Sequence, residues 1–192
     1  MKTRIILIVA LCFSQNAFTQ KASFNRITWY GLDFSMSKMI GSEGFTNPED
    51  IRRRFFDSWN NLVFTERDKY DLSKFYNKAI LENIKHSKLR NDKVDYNLMV
   101  QNTSFELSNE KIHEIVKDYS GEGDGMGLVY IVESFDKIQK NASIWVVLFD
   151  EKSGKEIYTQ KFQGEPGGAG LRNYWASAIL EVMKKSGRKF PY

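Results

Sequence analysis

The chain has 192 residues, of which 42% are hydrophobic, 14% aromatic and 27% charged, with three prolines and one cysteine. That balance belongs to a single globular domain, which with its one cysteine must be held by its core and not by disulfides. The formal charge of +4 falls to about +2 if Lys2 and Arg4 leave with an amino-terminal signal that carries no acid. So small an excess excludes an extended nucleic-acid surface, and no nucleic-acid partner is expected.

The opening residues have the three zones of a secretory signal peptide. Met1-Lys2-Thr3-Arg4 is basic, Ile5 to Phe13 is an unbroken apolar run, and Ser14 to Gln20 is polar, with Ala17 and Thr19 as the small residues before a cleavage point. The expected division is a signal peptide over 1–20 and one α/β domain over 21–192. The apolar run is too short for a bilayer, whose hydrocarbon takes roughly 20 apolar residues to cross, and no later stretch is longer, so no membrane span is expected. Cys12 follows Leu11, whereas a lipid-modified cysteine normally follows Gly, Ala or Ser; lipidation is not expected either.

In the mature chain, Ala22 to Phe34 reads as a strand and Met36 to Gly44 as a connection with Gly41 and Gly44 as turn residues. Asn47-Pro48-Glu49-Asp50 is a helix start: Asn47 can cap, Pro48 suits the first helical position, and two acids sit at the positive dipole end. Ile51, Phe55, Trp59, Leu62 and Val63 then recur at helical spacing. Asp71 to Tyr76 predicts a short helix, Ala79 to Lys85 fits either helix or strand, and Val94 to Val100 predicts a strand. Ser108 precedes a helix whose inward side is Ile112, Ile115, Val116 and Tyr119 and which ends near Gly121.

The last third is the most regular. Gly127 to Phe135 and Ala142 to Phe149 are near-continuous apolar runs, as in central strands covered on both faces, while Ile157 to Phe162 alternates like an edge. Leu171 to Lys185 closes the chain as a helix with Tyr174, Trp175, Ala178, Ile179 and Val182 inward. Trp59, Trp145 and Trp175 each fall on an apolar side and are expected in one core. The order predicts an α/β fold of the α+β type: a mixed sheet with a C-terminal three-strand antiparallel meander and helices packed on it.

That architecture is similar to the amino-terminal domain of the Tol periplasmic protein and to the curli-secretion lipoprotein. Gly127-Leu128-Val129-Tyr130-Ile131-Val132-Glu133-Ser134-Phe135, Trp145-Val146 with Phe149-Asp150, and Gly170-Leu171-Arg172-Asn173-Tyr174-Trp175-Ala176 resemble the signature of a family of exported bacterial proteins without assigned activity. The resemblance implies fold and compartment, and brings no chemistry.

Catalysis finds little to work with. Only His86 and His113 exist, both in polar stretches, and His113-Glu114 begins like H-E-x-x-H but has Lys117 where the second histidine belongs. Glu133 with Asp136, approached by Glu106, Glu110 or Asp118, is the carboxylate pairing that a glycosidase-like site would need. Gly121-Glu122-Gly123-Asp124-Gly125-Met126-Gly127 resembles a calcium loop but lacks its ligand spacing, and reads as a loop leading into a strand. The better candidate is the glycine-rich turn before the last helix: Gly167, Gly168, Gly170, Arg172 and Asn173 combine free N–H groups at a helix start with a guanidinium that can clamp an anion. No catalytic residue, metal ligand or cofactor is expected. The reading is an exported, non-catalytic binding or assembly component of the bacterial cell envelope, periplasmic or extracellular, with an envelope protein or a small ligand as partner. The alternative is a hydrolase acting on an envelope or extracellular polymer through a carboxylate pair.

Overall fold

A computed structural model describes residues 25–191; the expected signal peptide lies outside them. Its framework is a seven-stranded sheet of β1 (Arg26–Asp33), β2 (Lys38–Ile40), β3 (Ala79–Glu82), β4 (Val100–Gln101), β5 (Met126–Asp136), β6 (Asn141–Asp150) and β7 (Glu156–Gly164). β5 is its spine. On one side it pairs in parallel with β1 along its first half and with β2 along its second, and on the other it pairs antiparallel with β6, which pairs antiparallel with β7. β3 and β4 add in parallel outside β1 and β2. All eleven residues of β5 are buried, as its unbroken apolar run requires of a strand covered on both faces.

The helical elements are α1 (Pro48–Asp50), a π-helical turn at Ile51–Phe55, α2 (Phe56–Asn60), α3 (Leu62–Thr65), α4 (Leu72–Tyr76), α5 (Lys85–Asn91), α6 (Asn109–Lys117) and α7 (Leu171–Arg188). Asn47 caps α1 by accepting the Asp50 N–H at 3.1 Å, and Ser108 caps α6 by accepting the Lys111 N–H at 3.3 Å. The π turn inserts one extra residue into the first helical run, which moves the apolar stripe on. Phe56 is therefore the buried ring, stacked on Phe34 with centroids 4.2 Å apart, and Phe55 is only half-buried, against the spacing read from the sequence.

Two further expectations are corrected, and one segment left open is resolved. The connection over Met36 to Gly44 contains β2, and the strand expected from Val94 shrinks to Val100–Gln101. There Asp95 captures the Asn97 N–H at 2.9 Å and winds Tyr96–Leu98 into a 3-10 turn, a local bond that competes with the strand ladder. Ala79 to Lys85 resolves into β3 followed by α5, a helix with no apolar stripe to announce it: its one large apolar residue, Leu89, is exposed, and Ser87 and Asn91 face inward.

α7 and α1 to α4 cover one face of the sheet, and α6 covers the other. Trp59 and Trp175 belong to the larger core on the α7 face, whereas Trp145 lies half-buried at the margin of the smaller core under α6, so the three tryptophans do not share one core. Between β3 and β4 the outer edge of the sheet is interrupted, and two asparagine amides fill the gap. Asn60 accepts the Leu32 N–H at 2.7 Å and donates to the Leu32 carbonyl at 3.0 Å; Asn91 accepts the Phe34 N–H at 2.6 Å and donates to the same carbonyl at 2.9 Å. Gly31, with φ of 91°, bulges β1 at this point, and a Cβ there would collide with the Asn60 amide.

Candidate functional site

The parallel strands β2 and β5 end on the same side of the sheet, the side where α/β folds place ligand sites. Three loops meet there: the turn after β2, the β5–β6 turn and the glycine-rich approach to α7. They enclose an open cleft of about 470 Å³ lined by Glu43, Lys137, Gly168, Gly170, Leu171 and Tyr174. A second hollow of about 470 Å³ adjoins it, sharing Glu43 and Lys137 and adding Ser42, Asn102 and Ile138. Lys137 is positioned by its own N–H, which donates to the Ile40 carbonyl at 2.8 Å, and its ammonium lies 3.6 Å from the centre of the Tyr174 ring. Ile138 beside it is 57% exposed. A cation on an aromatic face, a carboxylate and the start of an 18-residue helix can hold a polar ligand by charge and hydrogen bonding.

The five residues read from the sequence divide here. Gly168 and Gly170 line the cleft. The Gly167 N–H is turned inward, to the Ser177 hydroxyl at 2.5 Å and the Tyr174 carbonyl at 3.1 Å. Arg172 reaches Glu66 at 2.6 Å, the Ser58 hydroxyl at 2.9 Å and the Asn173 side-chain oxygen at 3.0 Å, while its carbonyl accepts the Trp59 indole N–H at 2.9 Å. It thereby ties α7 to α2 and to the end of α3. Lys137, Glu43 and Tyr174 escaped the sequence reading. A lysine directly after a long apolar strand was the available signal, but nothing in the pattern places it against the last helix.

The buried carboxylates are each engaged by their surroundings. Asp33, fully buried, accepts from Arg90 and from the Tyr119 hydroxyl, both at 2.7 Å, and from the Ser35 N–H at 2.8 Å; Arg90 also contacts Asp118. Burial alone would lower the Arg90 pKa, but the Asp33 charge beside it holds it above the ordinary value. Glu133 accepts from the Leu107 N–H at 2.9 Å, the Trp145 indole at 3.0 Å and Lys161 at 3.1 Å. Asp136 accepts the N–H groups of Ile138 and Gln139, both at 2.8 Å, and so closes the β5–β6 turn.

Glu151 explains the loop that resembles a calcium site. It accepts from Tyr30 and from the Gly125 N–H, both at 2.8 Å, and a Cβ on Gly123 or Gly125 would lie 2.6 or 2.9 Å from its Oε2. The glycines make room for a carboxylate of the chain itself. His86 lies against the Tyr119 ring and 3.6 Å from Glu122, and the exposed His113 is 3.2 Å from Glu156. Among the described residues, no group of three or more His, Cys, Asp or Glu gathers to hold a metal ion. Among the same residues, no helix is long and apolar enough to cross a membrane.

No family model matches the chain, and no curated protein does. Among solved structures it is similar to the crystal structure of lipoprotein GNA1162 from Neisseria meningitidis, at 14% identity over 84% of this chain and 98% of that one, with a TM-score of 0.35.

Proposed function

We propose that the chain is exported and works by binding, as an accessory or assembly component of the bacterial cell envelope. The observation that carries the reading is the fate of the buried acids. Asp33, Glu133, Asp136 and Glu151 are all bonded to structural donors of the protein, so the carboxylate pair a glycoside-cleaving site needs is spent on architecture. The open cleft around Lys137 and Tyr174, with Ile138 exposed at its side, holds a single carboxylate, Glu43, where a glycoside-cleaving site needs a pair. Export is supported by the three zones of residues 1–20.

The test is a tagged chain expressed in a bacterial envelope. Mass spectrometry should find a mature protein beginning at Gln20 or Lys21 with no acyl group on Cys12, and crosslinking should capture an envelope partner that Lys137→Glu with Ile138→Glu releases. Hydrolysis of envelope glycan by the purified protein, abolished by Glu133→Gln, would overturn the binding role in favour of the hydrolase.

A further inference from the structure

We propose that the outer edge of β3, with the hollow beside it, docks an extended peptide segment that carries a lysine or arginine side chain. This names a partner chemistry for the binding role above and rests on it.

The backbone supplies the first part of the argument. The Ala79 N–H donates to the Asn25 carbonyl at 3.1 Å and the Asn83 N–H to the Trp29 carbonyl at 2.9 Å, so the odd residues of this segment turn their polar groups toward β1. In a strand the N–H and C=O of one residue point the same way and alternate along the chain. Ile80 and Glu82 therefore present theirs outward, and among the described residues no strand pairs with that side. A little further along the same edge, the polar groups of Leu32 and Phe34 are covered by Asn60 and Asn91. The protein closes one stretch of the edge with side chains and leaves the adjacent one open to an added strand.

The side chains supply the second part. Ile80 and Glu82 line a hollow of about 310 Å³ bounded by the buried Leu72 and Tyr70. Its charged groups are Asp68, Asp71, Glu82 and Arg67, an excess of two negative charges, and Arg67 Nε is turned to the Phe64 carbonyl at 3.3 Å. No ion pair engages Asp68 or Glu82 among the described residues. Asp71 accepts the Ser73 hydroxyl at 2.5 Å and the Lys74 N–H at 3.0 Å, and these bonds hold its carboxyl below the usual carboxylate range. An apolar wall under a carboxylate rim matches the long stem and charged head of lysine or arginine. On the opposite face of β3, Leu81 is 45% exposed, which favours an apolar residue next to the basic one in the docked segment.

The probes are terminally blocked peptides of alternating valine and threonine with lysine, glutamate or leucine at one central position, titrated against the full chain by fluorescence anisotropy. The lysine peptide should bind about tenfold tighter than the glutamate peptide, and Asp68→Asn with Glu82→Gln should erase that preference. Hydrogen exchange at the Ile80 and Glu82 amides should slow by about tenfold in the complex. Glu82→Pro removes one outward donor while leaving the β1 pairing intact, so it should abolish binding with the fold retained. Equal affinity for lysine and glutamate peptides, or undiminished binding by Glu82→Pro, would overturn the proposal. If Glu82→Pro leaves peptide binding intact while Lys137→Glu with Ile138→Glu still releases the envelope partner, the β3 edge is wrong and the binding role stands; if wild type captures no envelope partner, the binding role itself fails.

Discussion

The two faces of the sheet are held by different physics. Toward α7 the core is hydrocarbon and rings: Phe34 on Phe56, and Trp175 stacked on Phe135 with centroids 4.6 Å apart. Its most enclosed polar cluster is three hydroxyls, Tyr76, Tyr130 and Ser186, bonded to one another at 2.6 to 2.7 Å. Toward α6 the core is smaller, and three buried carboxylates seal it, each accepting from an aromatic donor: Asp33 from Tyr119, Glu133 from Trp145 and Glu151 from Tyr30. A nine-residue helix covers only part of that face. The loop before it adds only Phe105 and Leu107 to that core, and directional bonds to the buried acids, Leu107 N–H to Glu133 and Gly125 N–H to Glu151, hold the loops beside the helix.

The largest effects should break each face by its own mechanism. Trp175→Ala should cost about 3 to 5 kcal/mol through lost burial and the cavity left behind. Asp33→Ala should cost a similar ~3 to 5 kcal/mol, because the Tyr119 hydroxyl would lose its acceptor and Arg90, though still bonded to Asp118 and Ser35, would lose its buried one. Urea unfolding separates the two. Adding Arg90→Ala to Asp33→Ala should recover part of the loss, whereas adding Phe135→Ala to Trp175→Ala should deepen it. Additive losses at the Asp33 site would mean that the ion pair is not the unit holding that face.

Alkaline pH tests whether the acids or burial dominate. Burial pushes Tyr76 and Tyr130 well up on the α7 face; on the α6 face burial and then the neighbouring acids do the same to Tyr119 and Tyr30. Tyr70 is pushed up to about 12, by burial first and Glu66 next. Each folded pKa lies above the unfolded value of about 10, so the stability is complete below pH ~10 and is lost as pH rises toward the folded values, by about 1.4 kcal/mol per pH unit for each tyrosine. The urea midpoint should be flat to about pH 9 and fall steeply above about pH 10. Because burial is the leading cause on both faces, Tyr119→Phe and Tyr130→Phe should flatten that fall equally. A much larger change from Tyr119→Phe would give the leading role to Asp33.

A milder effect should come from Trp145→Phe, which keeps a ring at the margin of the α6 core and removes one donor from Glu133. About 1 to 3 kcal/mol is expected in urea unfolding, the cost of a buried acceptor short of one bond. Trp175→Phe lacks that penalty, because the Trp175 indole N–H has no acceptor among the described residues.

This contrast explains what the sequence disclosed. β5, β6 and α7 were legible because burial writes itself as apolar runs and helical stripes. α5 was not, since it meets β1 through Ser87 and Asn91, and the Asn60 and Asn91 amides mimic a missing strand in a way no periodicity records. The single residue added by the π turn moved a correctly read stripe from Phe55 to Phe56. The glycine-rich turn was found, but its cleft partners Lys137 and Glu43 come from loops 30 or more residues away in sequence from the nearest glycine of that turn. The chain there lies outside any local pattern, and only the sheet's topology brings it together.

The smallest effect should come from Arg172, where the α7 face carries its charge at the rim. Its pair with Glu66 is short, but both side chains are 33% exposed, so water and salt screen it. Arg172→Ala also gives up a bond to Ser58, yet the Trp59 indole keeps its acceptor, which is the Arg172 backbone carbonyl. The expected loss is about 1 kcal/mol, against the several expected at the interior Asp33 pair, and most of it should vanish in high salt. Thermal unfolding with and without phosphate adds the functional half of the test. The guanidinium donors are already directed at Glu66, Ser58 and Asn173, so any rise in midpoint with phosphate should survive Arg172→Ala and disappear with Lys137→Gln, whose ammonium lines the cleft. A phosphate response lost with Arg172 alone would instead place an anion at the start of α7 and make that guanidinium its clamp.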